Sequence, residues 1–122
     1  MKILVVDDEP AIRLLCRVNL EADGHRVVEA ASRDEALAAA EEHRPDAIVL
    51  DLMMPGVDPD DEWAVGRDLR ARPATAATPI VFLSARADLN GLESEVGGPV
   101  RYVTKPFDPT RLSGVLRELA DA

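Results

Sequence analysis

Five residues of this chain stand where side chains of their types, brought together, could do chemistry. Asp7 and Asp8 follow the apolar run Ile3–Val6, Asp51 follows Ala47–Leu50, Ser84 follows Ile80–Leu83, and Lys105 follows Tyr102-Val103. Three carboxylates converging on one point repel, and at least one takes up a proton unless a cation intervenes. A hard divalent ion that keeps some of its waters, Mg²⁺ or Mn²⁺, suits such an all-oxygen set. A hydroxyl and an ammonium beside it make a site able to hold a metal ion and a phosphoryl group together. Phosphoryl transfer needs positioning and charge neutralisation more than covalent machinery. Taken singly, each residue is as well read as a solvated loop residue or a local hydrogen-bonding group; only the set points to chemistry.

The set is brought together only if the apolar runs are neighbouring strands. Ile3–Val6, Ala47–Leu50 and Ile80–Leu83 have no polar alternation, which suits strands buried on both faces of a parallel sheet. Val27-Val28 and Tyr102-Val103 are shorter strand candidates. Helical patterns separate them. Pro10 opens a first helix with Ile12, Leu15, Cys16 and Leu20 on one face, and Asp23-Gly24 stops it. Ser32 and Glu35 form a capping-box pair for a second helix, which runs to about His43 and ends before Pro45. A third spans Asp61–Arg72 with Gly66 inside it, at a cost of about 1 kcal/mol against Ala. From Ala87 to Val96 the helical signal is weak. Asp108 and Pro109 open the last, with Leu112, Val115, Leu116 and Leu119 as its stripe. Five strands alternating with about five helices predict a doubly wound parallel α/β sandwich of three layers. In such a sheet, ligands bind outside the carboxyl ends of the strands, where all five candidate residues lie.

Composition bounds the rest. With 122 residues, 47% of them hydrophobic, one domain can bury a core of aliphatic side chains without a staple. Lys plus Arg is 14 against 23 Asp plus Glu, a net charge of −9, which argues against nucleic acid or an anionic membrane as a direct partner. The single Cys16 excludes an internal disulfide framework. The longest apolar run, Ala36–Ala40, is far short of a membrane span, and the start lacks the pattern of a signal peptide, so a cytoplasmic protein is expected.

Four stretches together carry a family likeness: 3–9 (ILVVDDE), 48–56 (IVLDLMMPG), 79–85 (PIVFLSA) and 102–107 (YVTKPF). The chain resembles the receiver domain of the two-component response regulators, along its whole length and at roughly the family's spacing. The resemblance implies a (βα)5 fold with strand order 2-1-3-4-5 and one receiver domain over 1–122 with no output domain. Asp51 is then the phosphoacceptor, taking its phosphoryl group from a histidine kinase or phosphotransfer protein. Asp8, Asp51 and the backbone carbonyl of Met53 ligate Mg²⁺, and Asp7 orients the ion's water shell. Lys105 pairs with the phosphoryl oxygens, and Ser84 hydrogen-bonds one of them. Tyr102 is the aromatic switch on the face formed by the fourth helix, fifth strand and fifth helix, and Pro106 follows a cis peptide bond. Met53 and Arg86 occupy the positions that tune phosphoryl lifetime; with no water-positioning group at Met53, a long-lived phosphorylated state is expected. The domain is no metabolic enzyme: it catalyses its own phosphorylation and hydrolysis and signals to an effector protein or a missing output domain, as a monomer or weak homodimer.

Two stretches depart from the family pattern. The loop after Asp51 carries a short acidic insertion at 58–62, read as solvated charge, and the stretch 87–98 has poor helix propensity, which suggests low local stability. Cys16 is expected in the core, His25 and His43 at the surface, and Trp63 as a partial core anchor. A receiver-like scaffold that works without phosphate is the rival reading, which the complete acid, hydroxyl and lysine set opposes. A flavodoxin-like cofactor binder is opposed by Asp7-Asp8-Glu9-Pro10, where a phosphate cradle would be needed.

Overall fold

The runs Ile3–Val6, Ala47–Leu50 and Ile80–Leu83 are buried on both faces of one sheet, which helices cover on both sides. In the computed structural model, which describes residues 1–52, 54, 58, 61–85 and 95–121, the elements are β1 (Lys2–Val6), α1 (Pro10–Ala22), β2 (Arg26–Ala30), α2 (Arg33–His43), β3 (Ala47–Asp51), α3 (Ala64–Arg70), β4 (Ile80–Ser84), β5 (Val100–Thr104) and a C-terminal helix (Leu112–Asp121) entered through a 3₁₀ turn at Pro109–Arg111. All strands are parallel in the order β2-β1-β3-β4-β5. The doubly wound sandwich expected from the sequence is the fold observed.

Strand alternation sorts the core into two layers. Leu4, Val6, Ile48, Leu50, Ile80 and Phe82 pack on the side of α2 and α3. Ile3, Val5, Val49, Val81 and Leu83 pack with Cys16 and Leu20 of α1 and Leu112, Leu116 and Leu119 of the C-terminal helix. Pro10 stands in the first turn of α1, and the Asp23 and Gly24 amides close its end on Leu20 and Glu21 carbonyls. The Ser32 hydroxyl accepts from the Glu35 amide at 3.3 Å, capping α2 as its sequence pattern predicts.

Some local expectations give way to packing. α3 begins at Ala64, later than the expected Asp61, because a turn at 61–63 lays Trp63 edge-on against Phe82, ring centroids 5.5 Å apart. Gly66 has a reason to stand inside that helix: a Cβ there would come within 2.9 Å of the Phe82 ring and 3.1 Å of Val96. Leu15 is exposed with Leu14 and Val18, so the buried stripe of α1 is narrower than the pattern and runs through Cys16 and Leu20. Asp108 does start the last helix, but as the cap of a 3₁₀ turn, its carboxylate accepting from the Thr110 amide at 3.0 Å. The weak stretch 87–98 and the fourth helix expected within it fall largely on 86–94, outside the described residues.

The end of α3 is tied to the entry of β5 by one guanidinium. Arg70 donates to the carbonyls of Gly97 (2.9 Å), Pro99 (3.0 Å), Thr75 (2.9 Å) and Thr78 (2.5 Å). Gly98, at φ +67°, lies against that guanidinium, and a Cβ would sit 2.8 Å from its Nε.

His25 corrects the sequence reading: it is buried, not a surface residue. Its Nδ1 lies 3.1 Å from the Met1 ammonium, which can only donate, so Nε2 carries the proton and donates to Ser113 Oγ at 2.8 Å. Burial, then the Met1 ammonium and the Arg117 charge, push its pKa below the ordinary value, while Asp23 opposes them. The unfolded chain therefore takes the proton more readily than the folded one, and stability falls as pH drops through the unfolded value of about 6.5. The urea midpoint of the wild type is expected to fall between pH 7.5 and 5.5 by more than that of His25→Asn; equal slopes would remove His25 from the pH response.

Candidate functional site

The same alternation that sorts the core aims the site. Asp7 continues the face of Ile3 and Val5, Asp51 that of Ala47 and Val49, and Lys105 that of Val103. All three emerge at the carboxyl edge of the sheet on the side of α1 and the C-terminal helix. Ser84 stands at the end of β4, one residue beyond the partner of Asp51 in the ladder, and is buried. Its carbonyl accepts from the Lys105 amide at 2.6 Å, which docks the start of the β5 loop onto the end of β4.

Asp7, Asp8 and Asp51 each present a carboxylate oxygen within 4.8 Å of the others. Asp7 and Asp51 are buried and Asp8 is exposed. Lys105 Nζ donates to Asp7 Oδ2 at 3.0 Å and lies 3.4 Å from Asp51 Oδ1. Burial alone lowers the Lys105 pKa, but the hydrogen bond to Asp7 and the charges of Asp51 and Asp7 outweigh it and hold it above its ordinary value. The other oxygen of Asp7, Oδ1, accepts from the Glu9 amide at 2.9 Å. The three carboxylates are close enough to be candidates for holding one hard divalent ion such as Mg²⁺. The donor set is all oxygen, as such an ion requires.

The structure thus brings Asp7, Asp8, Asp51 and Lys105 together, with Ser84 at the adjoining strand end. Tyr102, paired with Phe82 in the ladder, is exposed on the edge strand β5. The Lys105–Pro106 peptide bond is cis. Met53 and Arg86 lie outside the described residues. Of the acidic insertion, Asp58 is exposed and Asp61 pairs with Arg67, which also reaches Glu95 at 3.1 Å. Cys16 is buried behind the site, and burial, reinforced by the Asp7 charge and opposed by Lys105, pushes its thiol up to about 12, so it stays protonated and unreactive. Arg13 does not figure among the residues the sequence singles out, yet its Nη1 donates to the Asp7 carbonyl at 2.7 Å. The signal for it is a cation four positions into a helix, where the dipole disfavours one.

The chain is similar to known proteins in sequence and in fold. A sequence model of the family described as "Response regulator receiver domain" matches residues 3–117. The chain is 43% identical over 109 residues to the transcriptional regulatory protein ResD of Bacillus subtilis, an alignment covering 88% of this chain and 43% of that protein. It is 41% identical over 115 residues to the phosphate regulon transcriptional regulatory protein PhoB of Rhizobium meliloti, covering 91% of this chain and 48% of that one. The chain therefore spans about half the length of these curated relatives. The solved structure of the chemotaxis response regulator CheY4 of Vibrio cholerae superposes with a TM-score of 0.85 at 30% identity, covering 97% of each chain. The receiver domain of the sensor histidine kinase PA1611 of Pseudomonas aeruginosa, which has a magnesium ion coordinated in its active-site cleft, superposes with a TM-score of 0.84 at 29% identity over 99% of this chain and 98% of that one.

The electrostatics can be tested without any ligand. Removing the ammonium leaves the fully buried Asp7 carboxylate without its only paired positive charge among the described residues, so Lys105→Met is expected to destabilise the metal-free protein by roughly 1–3 kcal/mol. Adding Asp7→Asn to that variant should recover a substantial part of the loss in urea unfolding. A double variant no more stable than Lys105→Met would show that the pair does not carry this charge balance.

Proposed function

The chain belongs to the response regulator receiver domain family, and from that premise we propose that it accepts a phosphoryl group on Asp51 from a phosphohistidine donor and passes the signal on as a change of shape. The observation that carries this reading is the pairing of Asp51 Oδ1 with Lys105 Nζ at 3.4 Å inside a three-carboxylate cluster at the switch point of the sheet. A carboxylate oxygen of Asp51 would attack phosphorus while the bond from phosphorus to the donor's imidazole nitrogen breaks. The histidine then departs as the leaving group, and Asp51 becomes an acyl phosphate. Lys105, which spans Asp7 and Asp51, would transfer its hydrogen bond to the new phosphoryl oxygens. Ser84 would hydrogen-bond another of them, drawing in the loop that follows β4.

Asp8, Asp51 and the Met53 carbonyl would hold Mg²⁺, with Asp7 orienting its water. When bound, the ion would offset the repulsion among the carboxylates and the charge on the phosphoryl group. Support for the ion comes from the fit of the oxygen set and from the magnesium in the PA1611 receiver domain. Tyr102, exposed on the edge strand, would turn inward as Ser84 moves, remodelling the face beside β5 for an effector or an attached output domain. The domain would hydrolyse its own acyl phosphate and process no metabolite. The protein would act in the cytoplasm, with a histidine kinase or phosphotransfer protein as its donor. Among the described residues, no helix is long and apolar enough to cross a membrane.

The test is intact mass after incubation with acetyl phosphate. The wild type is expected to gain the mass of one phosphoryl group when Mg²⁺ is present and not when it is chelated, and Asp51→Asn to gain none. A wild type unmodified under all conditions would favour a scaffold that binds partners without phosphate.

A further inference from the structure

Resting on the metal-binding reading above, we infer that Arg13 is a positioning residue for the cation, acting through the backbone between Asp7 and Asp8. β1 ends at Val6, and the Asp7 amide is the last on that strand to be taken by β2, donating to the Ala30 carbonyl at 3.1 Å. The Asp7 carbonyl has left the ladder, and among the described residues no backbone amide donates to it. Arg13 Nη1 takes it at 2.7 Å. That carbonyl belongs to the peptide plane that leads into Asp8, the exposed carboxylate of the cluster, so fixing the plane fixes the direction in which Asp8 leaves the strand.

The guanidinium is itself braced. Arg13 Nε donates to Glu29 Oε1 at 3.1 Å, and the second oxygen of Glu29 is held by Arg17, which also donates to the Val27 carbonyl at 3.1 Å. Glu29 lies in β2, so the brace anchors the metal-site loop to the neighbouring strand. The arrangement uses the fork of a guanidinium, two donors at a fixed angle, which a lysine cannot supply. It also accounts for a cation placed against the dipole in the first turns of α1.

Charge and position predict opposite signs. If Arg13 acted only as a positive charge near the acids, removing it would tighten cation binding. If it positions Asp8, removing it weakens binding, by about tenfold, as loss of partners that orient metal ligands does. Mg²⁺ alone is titrated by calorimetry into the full chain as wild type, Arg13→Met, Arg13→Lys and Arg72→Met, each checked for folding by circular dichroism. Both Arg13 variants should bind about tenfold more weakly, and Arg72→Met, which removes an arginine paired with Glu41 and touching neither Asp7 nor Glu29, should bind as the wild type does. The Asp8 amide resonance of metal-free Arg13→Lys should also shift. Should Arg13→Met not fold, Arg13→Lys, which keeps the charge and loses the fork, carries the test with the same expected weakening of about tenfold. Equal or tighter binding by the Arg13 variants, beside a wild type that binds Mg²⁺, would overturn this inference alone. A wild type that binds no Mg²⁺ would overturn both it and the reading on which it rests.

Discussion

Asp7 is fully buried, and a carboxylate out of water stays ionised only if partners replace its hydration. Here the replacement is one ammonium and one amide, Lys105 Nζ at 3.0 Å and the Glu9 amide at 2.9 Å. The same ammonium serves Asp51 at 3.4 Å. Among the described residues, one lysine therefore stands against three carboxylates, an excess of acidic groups. Under the proposed function, that imbalance would favour a cation at the site, and the shared lysine would change partners once Asp51 bore a phosphoryl group. The remainder of the fold serves this imbalance: it keeps the acids close while water is excluded from behind them.

The means is the sheet. Five parallel strands end in one row, and alternation puts Asp7, Asp51 and Lys105 on a common side. The Lys105 amide bonded to the Ser84 carbonyl locks the fifth strand's loop to the fourth. Arg70, at the far edge of the sheet, ties α3 to the entry of β5 through four carbonyls, so the strand that delivers Lys105 is fixed at both ends. The layer of Leu and Val beneath the acids, with the Cys16 thiol among them, excludes water from behind the cluster.

What the sequence makes legible follows from this plan. Asp7, Asp8, Asp51, Ser84 and Lys105 each follow an apolar run, and a run's end in a parallel sheet is a spatial address. The caps at Ser32 and Asp108 read directly because their hydrogen bonds span only two or three residues. His25 did not read, because its partners, Met1 and Ser113, are distant in sequence and meet only when the C-terminal helix docks. Gly66 looked like a helix defect until Phe82 and Val96 packed against it. Leu15 followed the helical period yet lies outside, since periodicity gives a face and not the width of its cover. Arg13 was hidden because it recognises a backbone carbonyl, which no residue type in the sequence reveals.

The most direct test of the central claim is a crystal structure of the chain with Mg²⁺ and beryllofluoride, a stand-in for a phosphoryl group on a carboxylate. The account predicts the adduct on an oxygen of Asp51, Mg²⁺ between Asp8 and Asp51, and Lys105 Nζ moved from Asp7 onto the adduct. Beryllofluoride absent from Asp51 with Mg²⁺ in place, or an adduct that leaves Lys105 on Asp7, would contradict it.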